Sequence, residues 1–232
     1  MTLERYVERL FETLVAGDRP AARSLVQEIS DAGVDPVELI GDVFWPTYEQ
    51  IERLHRHDQL SKMAHHLATR LLRAMVDQTA ATMPAVPVRH RSIMAVCGPE
   101  EADELGAQMA VDLLEGAGYE VSFAGGGIPN DEIVMQVNQS RPDVLLIFAA
   151  GPSDLPSIRN LVDTLREIGA HDDVQIVVGA GVFNRADGLA EEIGADLWAN
   201  DPVDVVREIT NHPAHRAAGD QRTVGRRRKK AA

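Results

Sequence analysis

Residues 98–106 read GPEEADELG and follow an apolar run, SIMAVC. The stretch puts Glu100, Glu101, Asp103 and Glu104 at a strand-to-helix turn, where carboxylates serve one of three ends. They ligate a hard cation, they contact a ligand, or they complement the helix dipole by ~0.3–1 kcal/mol each. The dipole alone accounts for the acidity, so the cluster does not by itself demand a metal. Cys97 closes the same apolar run, where a nucleophile could stand, but no histidine lies in the other strand-end loops to activate it. A buried, inert thiol is expected. Gly125, Gly126 and Gly127 make a glycine-rich turn. Neither GxGxxG after the first strand nor GxxxxGK[ST] is present, which argues against a nucleotide, and there is no GxSxG elbow. The remaining chemistry lies in the histidines. His55, His57, His65 and His66 crowd into one short stretch, while the first 54 residues have none. By helical spacing His55 continues the stripe of Tyr48 and Ile51, His65 is half-buried beside Ala68, Leu72 and Val76, and His66 faces solvent with Lys62, Arg70 and Arg73. The alternative is that they look into a cavity between two domains, a common place for a ligand.

The elements that must position these groups fall into two blocks. Residues 1–81 have helical periodicity: Leu3, Val7, Leu10 and Leu14 first, then RPAARSLVQEISDAG ending at Gly33. Asp35-Pro36-Val37-Glu38 is a helix start, with Asp as cap and Pro in the first turn. Pro46 should kink the helix or restart it after Trp45. A last helix runs from about Leu60 to Gln78, which completes a four-helix bundle. TMPAVPVRHR, to residue 91, is a linker. Beyond it short apolar runs at 92–97, 119–125, 143–150, 174–180 and 196–200 alternate with helical patterns at 103–116, 130–140, 155–168, 185–193 and 203–210. Such alternation means α/β architecture: a five-stranded parallel, Rossmann-like (flavodoxin-like) sheet at 92–210, helices on both faces, and ligands at the carboxyl ends of the strands.

The 232 residues are 44% apolar, enough for a real core, and no run approaches the ~18 residues of a membrane span. One cysteine excludes an internal disulfide framework and a cysteine-rich zinc site. No signal-peptide pattern is visible, and a cytoplasmic setting is expected. The net charge is −13, although the last eleven residues carry Arg222, Arg226, Arg227, Arg228, Lys229 and Lys230. An acidic body does not wrap nucleic acid, which leaves only the tail at 211–232, expected to be disordered, for such a contact.

The helical cap, the linker and the five βα units together resemble the cobalamin-binding modules of corrinoid methyltransfer proteins and, more closely, of cobalamin-dependent light-sensing regulators. The resemblance covers roughly residues 1–210 and lacks the regulators' DNA-binding domain. In that family the first-strand loop carries acidic-x-His-x-x-Gly, whose His ligates cobalt from below. Here Glu101 and Gly106 keep the pattern and Asp103 occupies the His position. Gly125-Gly126-Gly127-Ile128-Pro129 matches the second-strand loop. Ala149 stands where a Ser meets the nucleotide tail, and Gly179-Ala180-Gly181 stands where two glycines let that tail pass. His55, His65 and His66 match the Trp and Glu-His that cover the upper face.

A carboxylate replaces an imidazole poorly on cobalt, so the usual His-on cobalamin binding is not expected. The resemblance then implies a non-catalytic sensory or regulatory protein. It would hold a tetrapyrrole (cobalamin in a non-standard mode, haem or bilin) between bundle and sheet. His55 or His66 would serve as metal ligand, and Glu101, Asp103, Gly106, Gly125, Pro129, Ala149, Gly179 and Gly181 would complete the site. Such a protein would signal through a regulatory partner protein or by self-association. A ligand-free scaffold and a corrinoid carrier in methyl transfer are the alternatives.

Overall fold

A computed structural model describes residues 2–99, 101–169, 173–179, 181–185 and 188–217. The basic tail beyond 217 lies outside the described residues. The first block is helical: α1 (Leu3–Val15), α2 (Arg19–Asp31), α3 (Pro36–Glu38), a π-helical segment (Leu39–Phe44), α4 (Trp45–Arg56) and α5 (Lys62–Ala80). Asp18, Asp35 and Ser61 cap their helices, and Asp35 Oδ1 accepts both the Val37 and Glu38 amides.

The kink or restart expected at Pro46 falls where a π-helical segment passes into α4, at Trp45. The π-helical turn absorbs it, with the Trp45 amide bonding Ile40 O, five residues back. Pro46 brings no N–H, so widening the preceding turn removes the demand for a regular bond there.

The second block alternates β1 (Ser92–Cys97), α6 (Glu101–Gly116), β2 (Glu120–Gly126), α7 (Asn130–Ser140), β3 (Val144–Phe148), α8 (Leu155–Glu167), β4 (Gln175–Gly179), α9 (Leu189–Ile193), β5 (Leu197–Ala199) and α10 (Pro202–Asn211). All four strand pairs are parallel, in the order β2-β1-β3-β4-β5. The helix expected at 185–193 begins only at Leu189. A 3-10 turn, Gly181–Arg185, stands before it, and Gly188 at φ +80° caps the helix.

Alternation along each strand divides the core. Ile93, Ala95, Cys97, Val144, Leu146, Phe148 and Val177 face α6, α10 and the bundle in one continuous cluster. Met94, Val96, Leu145, Ile147, Ala149 and Val178 face α7, α8 and α9. The bundle therefore sits on the α6–α10 side, above the carboxyl end of the sheet.

The segment after α10 departs from the expected disorder up to Ala217. The buried Gln175 amide donates to His212 O and His215 O, both at 2.9 Å, and takes an N–H from Arg91. Asp196 Oδ1 accepts the Ala217 amide.

Asp112, on α6, has a buried Oδ2 without a hydrogen-bond partner among the described residues. Burial, then the Glu115 and Asp77 charges, push its carboxyl up from 3.8 to about 7. Between those two values the folded chain binds a proton that the unfolded chain does not. Its stabilising contribution is complete below the lower value and is lost as pH rises through the upper one. Asp112→Asn should therefore raise Tm by about 2–4 °C at about pH 8 and leave it unchanged at about pH 5. A thermal melt at each pH checks this, and equal shifts at both would contradict it.

Candidate functional site

A cavity of about 410 Å³ opens between α4 and the carboxyl edge of the sheet. The bundle contributes Val7, Trp45, Tyr48, Glu52, Arg53 and Arg56 to its wall. The sheet side contributes Asp103, Gly106, Phe148, Ala149, Ala150, Gly181, Asn184 and Arg185. Trp45, Tyr48, Glu52 and Arg56 recur at three- and four-residue spacing along one face of α4, so a single helix supplies most of one wall. The Trp45 and Tyr48 rings lie 5.2 Å apart, centre to centre. Gly106 on α6 makes this approach fit: a β-carbon there would lie 3.3 Å from Tyr48 Oη and 3.6 Å from the Trp45 ring.

Asp103, at 3% exposure, is committed on the sheet side. Its Oδ1 accepts the Ala150 amide, and its Oδ2 lies so close to Gly98 that a side chain at position 98 would collide with it. The carboxylate at the suspected metal position thus braces the loop after β3. Gly181, at φ +55°, brings the turn after β4 against Ala149 and Ala150. Arg185 Nη2 donates to Ala150 O at 2.7 Å, which ties that turn to the same loop.

Of the residues read from the sequence, Asp103, Gly106, Ala149 and Gly181 come together here. Glu101 opens α6, and its side chain lies outside the described set. Pro129 lines a different cavity of about 300 Å³, on the α7–α8 side, and Gly125 sits beside Glu104. Gly179 is covered by the Phe148 ring, whose Cε2 and Cζ would stand 2.9 Å from a β-carbon there.

The histidine expectation needs correction. His55, His65 and His66 are not among the cavity-lining residues; Glu52 takes that place. His65 Nε2 bonds Glu52 Oε1 at 2.6 Å, both side chains being buried, and the His55 ring stacks on His65 at 4.0 Å. The imidazoles form a support behind the carboxylate. Among the described residues no group of three His, Cys, Asp or Glu side chains is arranged to hold a metal ion. Ala149 packs into the α7–α8 layer and still reaches the cavity, and the neighbouring Phe148 shares its layer with α6.

Burial keeps the Tyr48 phenol and the Cys97 thiol, near Asp103, protonated. Burial, then the Glu52 and Asp103 carboxylates, drive the Tyr48 phenol well up, so it remains an O–H donor. Burial, with Asp103 and Glu104 adding, pushes the Cys97 thiol up to about 12, which makes it the inert cysteine anticipated. Sequence reasoning missed Trp45, Glu52, Arg56, Phe148 and Arg185. One signal was available: two charges, Glu52 and Arg56, continue the helical spacing of Trp45 and Tyr48.

With this geometry in view, comparison with known proteins is informative. A family model described as a B12 binding domain matches residues 91–207, and a second B12 binding domain model matches residues 6–79. Dimethylamine corrinoid protein 2 of Methanosarcina mazei is 24% identical over 207 residues, covering 88% of this chain and 95% of its own length. The trimethylamine corrinoid protein of Methanosarcina barkeri is 27% identical over 217 residues, covering 90% and 98%. Among solved structures, the Methanosarcina barkeri monomethylamine corrinoid protein superposes with a TM-score of 0.71 at 16% identity, over 89% of this chain and 97% of that one. A chain of the methanol:cobalamin methyltransferase complex MtaBC, also from Methanosarcina barkeri, superposes at 0.50 and 16%, over 92% and 82%. At such identities the structures establish the shared fold. The named relatives overturn the sensory reading: their names join a corrinoid to a methylated amine, not to light or to regulation.

Proposed function

The chain belongs to the B12 binding domain family, and from that premise we propose that it is a corrinoid-holding methyl carrier that works beside a separate methyltransferase. The observation that carries the reading is the position of the cavity. It lies at the junction of the two matched segments, with residues 6–79 supplying one wall and 91–207 the other. The relatives' near end-to-end coverage supports a like role for the whole chain, with a methylated amine or similar small methyl donor as substrate class. A bound corrinoid supplies a metal centre that accepts and releases a methyl group.

The wall suits the macrocycle. Trp45, Tyr48, Phe148 and Val7 offer an apolar surface, and Asn184, Arg53, Arg56 and Arg185 offer donors to the carbonyls of an amide rim. Apolar walls exclude water from the site. Glu52, held by His65, is the acceptor that the bundle presents. The wall does not suit the usual lower anchor. Asp103 is spent on Ala150, and the Phe148 ring fills the space over Gly179 through which a nucleotide tail would pass. This chain therefore holds its corrinoid without a histidine from below, and catalysis falls to the partner that activates the methyl donor.

The test uses the chain alone. It is loaded with hydroxocobalamin, reduced with titanium(III) citrate, and treated with radiolabelled methyl iodide. Retention of the label through gel filtration in the dark, and its loss on illumination, is the expected result. A chain that keeps corrinoid but never label would contradict the carrier reading.

A further inference from the structure

Two arginines meet at the cavity from opposite layers: Arg56 from α4, and Arg185 from the turn after β4. Their positive charges act on each other; burial first, and Arg56 next, lower the Arg185 pKa. Neither has a carboxylate partner among the described residues, although Glu49, Glu52 and Asp103 share the wall. Glu52 is bonded to His65 and Asp103 to Ala150. Arg185 spends one N–H on the Ala150 carbonyl, and Arg56 makes no hydrogen bond or ion pair of its own among the described residues. The wall's carboxylates act on the two guanidiniums through space without an ion pair among the described residues, which leaves N–H groups of both free to give charge-assisted bonds to an anion at the cavity.

We propose that Arg56 and Arg185 form an anion subsite at this cavity, and that its occupant, on the corrinoid reading above, is the phosphodiester joining macrocycle to nucleotide. The Phe148 ring supports that choice. It closes the passage over Gly179, so the nucleotide stays outside the sheet and its phosphate remains on the side where the two arginines stand. Because one arginine comes from each block, the anion also fastens bundle to sheet.

Hydroxocobalamin carries the phosphodiester, and diaquocobinamide lacks both phosphate and nucleotide. Titration of the wild-type chain with each should favour hydroxocobalamin by about tenfold or more. Arg56→Gln and Arg185→Gln should each remove most of that preference, lowering the affinity for hydroxocobalamin far more than that for cobinamide, which loses only what each guanidinium gives the amide rim. Inorganic phosphate should compete with hydroxocobalamin in the wild type and not in the double variant. Both side chains are exposed enough for the variants to fold, and a thermal melt verifies this. A wild-type chain that takes up neither corrinoid overturns the corrinoid reading itself. A chain that binds both corrinoids equally, with or without the arginines, leaves that reading standing and overturns the anion subsite.

Discussion

Phe148→Ala should lower the stability of the chain by about 3–5 kcal/mol, a drop of about 10 °C or more in Tm. The ring is 3% exposed, belongs to the core shared by bundle and sheet, and fills the space that Gly179 leaves open. Its removal vacates a volume that the parallel strands on either side cannot close. The same substitution opens the passage for a nucleotide tail. Cobalamin bound to the wild type should keep its nucleotide outside the sheet, and cobalamin bound to the variant should move it inward. Visible spectra at matched loading report the change, since releasing the base from cobalt alters the corrin absorption. A variant with unchanged Tm, or with a wild-type spectrum despite the expected loss of stability, would remove Phe148 from its assigned role.

Gly181→Ala should be nearly as costly, for a different reason. At φ +55° any β-carbon brings a backbone penalty of about 1–2 kcal/mol. Here it also collides with the Ala149 carbonyl, which is backbone and cannot turn aside. The combined cost is expected to exceed about 3 kcal/mol. Because Asn184 and Arg185 ride on the same turn, affinity for hydroxocobalamin should fall about tenfold. Gly169→Ala is the matched comparison. Gly169 has φ +77° but, among the described residues, nothing within 4 Å of a β-carbon there, so it incurs the backbone penalty without the collision. Chemical denaturation of the two variants isolates the steric part, and equal losses would show that no close approach exists at Gly181.

The architecture was legible because local signals agreed with one another. Asp35-Pro36 marks a helix start in sequence, and Asp35 caps that helix in the structure. The apolar runs from SIMAVC to DLWAN became the strands of a parallel sheet, and the central β1, β3 and β4 are buried almost throughout, as continuous hydrophobic runs covered on both faces should be. In the loops and α6 the sequence reading overlaps the cavity, since Asp103, Gly106, Ala149 and Gly181 all line it.

The bundle's contribution was not legible. Periodicity finds the stripe of Tyr48 and Ile51, which is buried in the core as expected, but it gives no sign that the adjoining face of Trp45, Tyr48, Glu52 and Arg56 lines a cavity. Phe148 was passed over because adjacent strand residues face opposite sides of the sheet, and alternation alone does not say which side holds the cavity. The clustered histidines misled for another reason. Spacing gives a side chain's direction but not its partner, and His65 is turned to Glu52. The ordering of His212–Ala217 depends on Gln175, Arg91 and Asp196, contacts that only the folded chain brings together.

The central claim is that the cavity between bundle and sheet holds a corrinoid, and Trp45 gives its most direct measurement. This indole is 6% exposed and lines the cavity, while the chain's other tryptophan, Trp198, is 42% exposed on β5. Titrating hydroxocobalamin into the wild type and into Trp45→Phe, with tryptophan emission as readout, should show saturable quenching at one corrinoid per chain in the wild type. The variant should bind the corrinoid, as judged by gel filtration, with most of the quenching gone. Corrinoid that elutes apart from the protein, or quenching that is identical in the two chains, would contradict the account.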